Sequence, residues 1–359
     1  MRSVAGRLPP GVKDRLAPLL VARRTYPDFL GIGAQKAGTT WLGRNLQLHP
    51  EIWMPKIKEL HYFNERINDS KNPISRLYGK MTGKGTVNQR WRRQVKNRLR
   101  QHWGHHFGEE FLWDLRYYAG APSDGWYASL FEPGRGKVKG EITPAYSTLG
   151  RDAIARVHAL LPEAKLIFMM RNPIERAYSQ LMMRLDQAGK RDIGPARLAR
   201  LHRDFEREGY RARTDYLRTL ENWGAFYPEE QIFVGFLEDI HFYPGELLGS
   251  VYRFLGVDAS FMPRGIGERV HARSAGRMLA ESAVYLAKLY REELSCLNER
   301  FGGYASFWFY GAEKLAGRPP KEEYLPYPLW ESAIWEEWTE ERAEQPGFQS
   351  GPLTEVRSL

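Results

Sequence analysis

The chain has 359 residues, 42% hydrophobic and 13% aromatic, enough for one large α/β core or two ordinary domains and too apolar for a disordered chain. Its formal net charge of +10 favours an anionic substrate or a polyanionic partner and says nothing about fold. The single cysteine, Cys296, excludes an intrachain disulfide and a cysteine-rich zinc site, and no apolar run approaches the roughly 20 residues of a membrane span.

Residues 1–26, with Pro9, Pro10, Gly11 and Pro18, read as an arm. Its short apolar run, 16–22, carries a proline and is followed by Arg23 and Arg24, which argues against a secretory signal, so a cytoplasmic location is expected. From Asp28 apolar runs alternate with amphipathic stretches. Strands are expected at 28–32, 137–142, 165–170 and 231–237, and helices at 174–187, 244–255 and 278–300. Asp152-Ala153-Ile154, Val157 and Leu160-Leu161 add apolar residues at helical spacing behind an acid. This alternation predicts an α/β, P-loop-like, three-layer fold with a central mostly parallel sheet flanked by helices. Residues 27–313 form that domain. It is interrupted at 64–125 by an insertion centred on Arg90, Trp91, Arg92, Arg93, Lys96, Arg98, Arg100 and Trp103. From about Lys314 to Leu359 the chain is a proline-rich, then acidic tail with Trp335 and Trp338. Opposite charge and shared aromatics suggest that this tail can lie against the insertion, within one chain or across a dimer; the competing and plainer reading is a solvated helix and a disordered tail.

Phe29-Leu30-Gly31-Ile32 leads into Gly33-Ala34-Gln35-Lys36-Ala37-Gly38-Thr39-Thr40-Trp41, followed by Leu42 and Leu46. Strand, glycine turn and helix start aim backbone N–H groups at a phosphate. A Walker loop needs lysine after Gly38, where this chain has Thr39; its lysine is Lys36, inside the turn. The run Lys165–Met170 ends in Arg171-Asn172-Pro173 and not in the aspartate of a magnesium-nucleotide enzyme. The loop therefore suits a phosphate without a metal.

Three further constellations accompany the loop. Glu59 and His61, in Lys58-Glu59-Leu60-His61-Tyr62-Phe63, point the same way if the segment is extended, and either could take a proton from an attacking hydroxyl. Taken alone, the pair also fits a surface acid and a capped histidine. Arg171 sits at a strand's carboxyl end, where ligands of open parallel sheets bind, and Ser179 two turns on can face the same anion. Arg273-Ser274-Ala275-Gly276-Arg277 can fold over an anion or be a solvated turn.

In this order the four segments resemble the sulfotransferase superfamily, whose donor is 3′-phosphoadenosine-5′-phosphosulfate, and most of all its Golgi heparan-sulfate branch and related bacterial proteins. The resemblance runs from about Pro27 to Tyr310. It includes Trp126-Tyr127 with Leu130-Phe131, Gly140–Tyr146, Tyr216-Leu217 with Leu220 and Trp223, and Phe254-Leu255-Gly256-Val257. It implies that Lys36, Ala37, Gly38, Thr39, Thr40 and Trp41 hold the 5′-phosphosulfate end, and that Arg171 and Ser179 hold the 3′-phosphate. Ala275, Gly276 and Arg277 would close over the nucleotide. Glu59 matches the branch's catalytic base and His61 a nearby histidine. Unlike members of the branch, the chain is expected to have neither an N-terminal anchor nor a disulfide near the late loop. It also has Ile142 where many members place a sugar-contacting lysine, which weighs against a heparan-type acceptor.

The expected function is transfer of a sulfuryl group to a hydroxyl or amine of an acceptor, carbohydrate or anionic, without a metal and without nucleic acid as partner. Two rivals are an atypical P-loop nucleotide kinase and a non-catalytic polyanion- or nucleic-acid-binding protein built on residues 90–103.

Overall fold

Phe29–Gly33 is buried along its whole length and forms β1, the middle strand of a five-stranded sheet. The computed structural model describes residues 25–64, 109–120, 122–187, 195–267 and 276–343, with a few positions between 82 and 98 and Gly189. After β1 come α1 (Thr39–Leu48), β2 (Ile52–Trp53), β3 (Val138–Ile142), α2 (Arg151–Leu160), β4 (Lys165–Met170) and α3 (Pro173–Gln187). Then follow α4 (Tyr216–Gly224), β5 (Ile232–Phe236), α5 (Leu237–Phe242) and α6 (Pro244–Leu255). The strands lie in the order β2-β3-β1-β4-β5, and every pairing is parallel. This is the expected α/β sheet. The short β2 gave no signal of its own, because two residues cannot display a period.

Parallel strands covered on both faces read as continuous apolar runs. β4 does: from Leu166 to Met170 every residue is buried. Gly31 lets β1 and β3 come together, since a Cβ there would lie 2.5 Å from Ile142 Cγ1. Helix α4 fastens the strand ends: Tyr216 Oη donates to Arg171 O at 2.8 Å and Thr219 Oγ1 to Ser147 O at 3.0 Å. The ends of β1, β3 and β4 are thus held together where the functional residues lie.

The chain divides into two compact units, one of residues 27–66 with 136–359 and the other of residues 1–26 with 67–135. In the second, the helix Glu109–Ala119 packs Trp113 inside, and its indole donates to Leu130 O at 2.7 Å. Tyr117 stacks on Trp113 and Trp126, and Arg98 grips Asp114 through two 2.9 Å hydrogen bonds. At Arg98 the insertion's positive charge is neutralised internally.

The C-terminal third differs from expectation. The single helix expected at 278–300 is a short strand, β6 (Arg277–Leu279), then α7 (Ala280–Leu289) and α8 (Arg291–Phe301), broken at the fully buried Tyr290. Helix α9 (Gly303–Gly317) runs through Lys314, where a tail was expected to begin. Beyond it β7 (Tyr324–Pro326) pairs antiparallel with β6, and α10 (Ala333–Ala343) follows. The acidic helix finds its partners on α9. Trp335 meets Phe307 edge-on at 4.7 Å, Trp338 is buried beside the same ring, and Lys314 Nζ lies 3.0 Å from Glu337 and 3.4 Å from Glu341. These contacts pair Glu337 and Glu341, two of the acids of the described part of the tail, with α9. No described helix is long and apolar enough to cross a membrane.

Candidate active site

The turn after β1 keeps to the sheet at its start, with Ala34 N donating to Met169 O at 2.7 Å, and then bends through left-handed backbone at Lys36 (φ 75) and Gly38 (φ 81). Gly38 is the N-cap of α1. A side chain there would be strained, and its Cβ would lie 2.3 Å from Ile240 Cδ1. No side chain caps α1 and no acid stands in its first turn, so its leading amides carry the positive end of the helix dipole unopposed. Ala37 and Thr39 are buried, and Thr40 is partly exposed. Trp41 is buried and its indole donates to Ile266 O at 2.8 Å, so what it offers the loop is its backbone amide.

Arg171 leaves β4 directly beside this turn. Its Nε and Nη2 donate to Glu175 Oε2 at 3.2 and 2.8 Å, its Nη1 to Lys36 O at 3.3 Å, and its Nη2 also to Tyr327 Oη at 2.7 Å. Burial works against its charge, but Tyr327 and Glu175 outweigh it and the guanidinium is held charged well above its ordinary range. Glu175 is fully buried and its other oxygen accepts from Leu329 N at 2.8 Å. Asn172 initiates α3 by accepting from Ile174 N at 3.0 Å, while its buried Nδ2 has no partner among the described residues. Ser179, on the same helix, is nearly buried and faces Tyr327.

The condition that the segment at Glu59 and His61 be extended is not met. Both residues are left-handed, at φ 66 and 58, and with Lys36 they are the positive-φ non-glycine residues among those described. Such backbone costs about 1–3 kcal/mol per residue and persists only where its surroundings enforce it. The enforcement comes from β3. Glu141, almost fully buried, accepts from Leu60 N at 3.3 Å, from Thr143 Oγ1 at 2.7 Å and from Tyr146 Oη at 3.0 Å, and Tyr146 Oη accepts from Tyr62 N at 3.0 Å. The turn brings Glu59 Oε2 within 3.5 Å of His61 Nε2. His61 holds the Glu59 carboxyl below its usual range; burial opposes this and Lys58 adds to it. Lys58 spans the gap to the phosphate-type loop, with Nζ 2.6 Å from Thr40 Oγ1 and 3.7 Å from Glu59 Oε1.

A cavity opens on this side of α1, lined among others by Thr40, Arg44, Gln47, Lys56, Lys58 and Ile142. Ile142 is the place where a lysine was expected from the resemblance. The cavity is basic all the same, through Arg44, Lys56 and Lys58. Neither Arg44 nor Lys56 stood out in the sequence. The helical spacing of Arg44 from Thr40, one turn on, was the available signal for the first. The roles of Lys58, Glu141 and Tyr146 were equally hidden, since they act through contacts between distant segments.

The structure thus attaches Arg171 to the backbone of Lys36 and, through Lys58, Glu59 and His61 to Thr40, four residues on in the same loop, with Tyr327 between Arg171 and the Ser179 side. Of the late loop, Ala275 lies outside the described residues. Gly276 and Arg277 are exposed, with Gly276 O accepting from Tyr327 N at 3.1 Å and Arg277 paired in register with Pro326.

A family profile described as the sulfotransferase family matches residues 27–261. Among curated proteins the chain is 29% identical over 158 residues to the membrane-associated sulfotransferase kil1 of Dictyostelium discoideum, covering 43% of this chain and 22% of that protein. It is 24% identical over 330 residues to the bifunctional heparan sulfate N-deacetylase/N-sulfotransferase 2 of Mus musculus, covering 79% of this chain and 30% of the relative. To the human heparan sulfate glucosamine 3-O-sulfotransferase 6 it is 25% identical over 246 residues, 66% of this chain and 54% of that one. The chain therefore spans from about a fifth to about half the length of these relatives. A solved sulfotransferase from Alicyclobacillus acidocaldarius shares the fold, with TM-score 0.52 at 23% identity over 78% of this chain and 96% of the other. With the profile covering most of its length, the chain belongs to the sulfotransferase family.

Proposed function

We propose that the protein transfers a sulfuryl group from 3′-phosphoadenosine-5′-phosphosulfate to a hydroxyl or amine of an anionic acceptor, most simply a carbohydrate. The observation that carries this reading is the meeting of two kinds of residue at one loop. Arg171 touches Lys36, and Lys58 joins Thr40 to Glu59, so anion-binding groups and a proton acceptor are coupled. The donor fits the residues present: an uncapped helix start, a buried charged Arg171 and a buried Asn172 amide with donor capacity to spare. When bound, it supplies a sulfuryl group activated by its link to phosphate.

The chain's residues do the rest by electrostatics and proton transfer. The amides of Gly38, Thr39 and Thr40, with the Lys36 ammonium, balance the charge that grows on the departing phosphate oxygen, a kind of contact worth several kcal/mol in comparable sites. Glu59, kept ionised by His61 and Lys58, removes the proton of the attacking group. Arg44, Lys56 and Lys58 give the acceptor side a positive lining that favours an anionic acceptor over a neutral one. Two of the similar proteins act on heparan sulfate by name, which supports a carbohydrate.

The test is incubation with sulfur-labelled donor and a panel of anionic and neutral oligosaccharides, with and without a chelator. Label should enter anionic oligosaccharides and survive chelation. Failure to label any acceptor, together with magnesium-dependent phosphate transfer from ATP, would replace this reading with that of a kinase.

A further inference from the structure

One side chain reaches the donor end of the site from beyond the stretch matched by the family profile: Tyr327, next after β7. Its segment is fastened on both sides. Tyr327 N donates to Gly276 O at 3.1 Å, and two residues later Leu329 N donates to Glu175, the carboxylate that holds Arg171. The half-buried ring stands edge-on to Tyr178 with centroids 5.6 Å apart, on the helix that also carries Ser179. The phenol oxygen accepts from Arg171 Nη2 at 2.7 Å and lies on the side of the Ser179 hydroxyl.

The bookkeeping of hydrogens then singles out two donors. An oxygen that accepts from Arg171 still has its own proton to give. Of the five N–H groups of Arg171, two point to Glu175, one to Lys36 O and one to Tyr327, so a single Nη1 hydrogen is not accounted for by these bonds. A charged group adjacent to a phenol that it polarises makes that phenol a stronger donor toward an anion. We infer that Tyr327 is a specificity-determining residue of the donor subsite, its O–H and the remaining Arg171 N–H together receiving the 3′-phosphate of the nucleotide. This rests on the donor proposed above. It assigns the C-terminal strap a part in recognising the donor that neither the phosphate-type loop nor β4 can supply.

The test is calorimetric titration of the full chain with adenosine 3′,5′-bisphosphate and with adenosine 5′-monophosphate, for the wild type and Tyr327→Phe. The variant should lose roughly tenfold or more in affinity for the bisphosphate, as for a hydrogen bond to a charged group, and none for the monophosphate. Unchanged or improved bisphosphate affinity overturns the assignment, improvement meaning that the phenol only occupies a place the phosphate must take. A wild type that does not prefer the bisphosphate overturns the donor reading itself, so the two failures are distinct. If Tyr327→Phe does not fold, 3-fluorotyrosine at position 327 keeps the phenol and its shape. Its fluorine resonance should move with the bisphosphate and stay with the monophosphate; a resonance that responds alike to both overturns the inference.

Discussion

Arg171 and Glu59 are attached to two ends of one loop, at Lys36 and through Lys58 at Thr40, and are held in opposite ways. Arg171 is buried, paired with a fully buried carboxylate and tied to two further segments. The Glu59 side chain is 35% exposed, and its nearest charged partners, Lys58 and His61, are as open as it is. What fixes Glu59 is its backbone, through Leu60 and Tyr62 on Glu141 and Tyr146. The end proposed to hold the donor is set by side-chain burial and its shape is decided on folding. The end proposed to meet the acceptor is set by a strained turn, whose side chains are more open to solvent. Substitutions at the two ends should therefore fail differently.

The largest effect is expected at Arg171. Arg171→Ala removes one partner of a buried ion pair and leaves Glu175 uncompensated, which typically costs about 3–5 kcal/mol. Denaturant unfolding should show that loss, and nucleotide affinity should be measured only where the variant is folded. A stability change below about 1 kcal/mol would mean that the pair is not structurally important, and the contrast with Glu59 would vanish. Lys36→Ala comes next, with turnover lowered by about a hundredfold to a thousandfold, the range for losing one oxyanion-stabilising donor. Its left-handed backbone is strained for alanine too, so stability should change little. Retained turnover would remove Lys36 from the chemistry.

At the open end, Glu59→Gln should lower turnover by about a hundredfold, the lower range for a general base, while leaving donor affinity unchanged and lowering the melting temperature only slightly, because the carboxylate is partly exposed. The pH profile sharpens the assignment. His61 and Lys58 hold the Glu59 carboxyl below its ordinary value, so it is ionised at every pH above the usual carboxylate range. The acid limb of kcat/KM should therefore lie below about pH 4.3, with a plateau through neutral pH. A limb near pH 6.5 that moves in a His61 variant would instead make the imidazole the base. The sign for stability agrees: a depressed carboxylate pKa stabilises the fold above the unfolded value, and the contribution is lost as pH falls through the folded one.

The same contrast governs what could be read from the sequence. β1, the glycine turn, β4 and Pro173 after Arg171 were legible because apolar runs, glycine and proline act locally. Their boundaries fall within about one residue of the expected ones. The backbone of Glu59 and His61 was not legible, since nothing nearby demands positive φ at those residues; β3, some 80 positions away in sequence, does. Tyr290 breaks a helix without glycine or proline, where the fully buried ring brings its hydroxyl to 3.5 Å from Thr214. Tyr327 depends on a pairing between β6 and β7 across almost fifty residues, which no local pattern reveals. The acidic stretch looked like a solvated tail because its binding residues, Trp335 and Trp338, face aromatic partners on α9 that composition does not disclose.

The smallest effect separates charge recognition from shape at the acceptor side. Arg44 and Lys56 line the cavity beside Lys58, and none of the three is part of the buried donor network. Replacing either one with methionine keeps much of the apolar stem and removes a charge that is open to solvent. For an anionic oligosaccharide at low salt, the acceptor KM should rise about threefold to fivefold, in line with the modest worth of exposed charge pairs. Turnover at saturating acceptor should be little changed, because both side chains are exposed and neither is among the groups proposed to carry the chemistry. Added salt should erase the difference, since charges at the surface are screened beyond about 8–10 Å at physiological ionic strength. A neutral acceptor of the same ring size provides the control. If its KM rises as much as that of the anionic one, Arg44 and Lys56 shape the cavity, and the positive lining does not select the acceptor by charge.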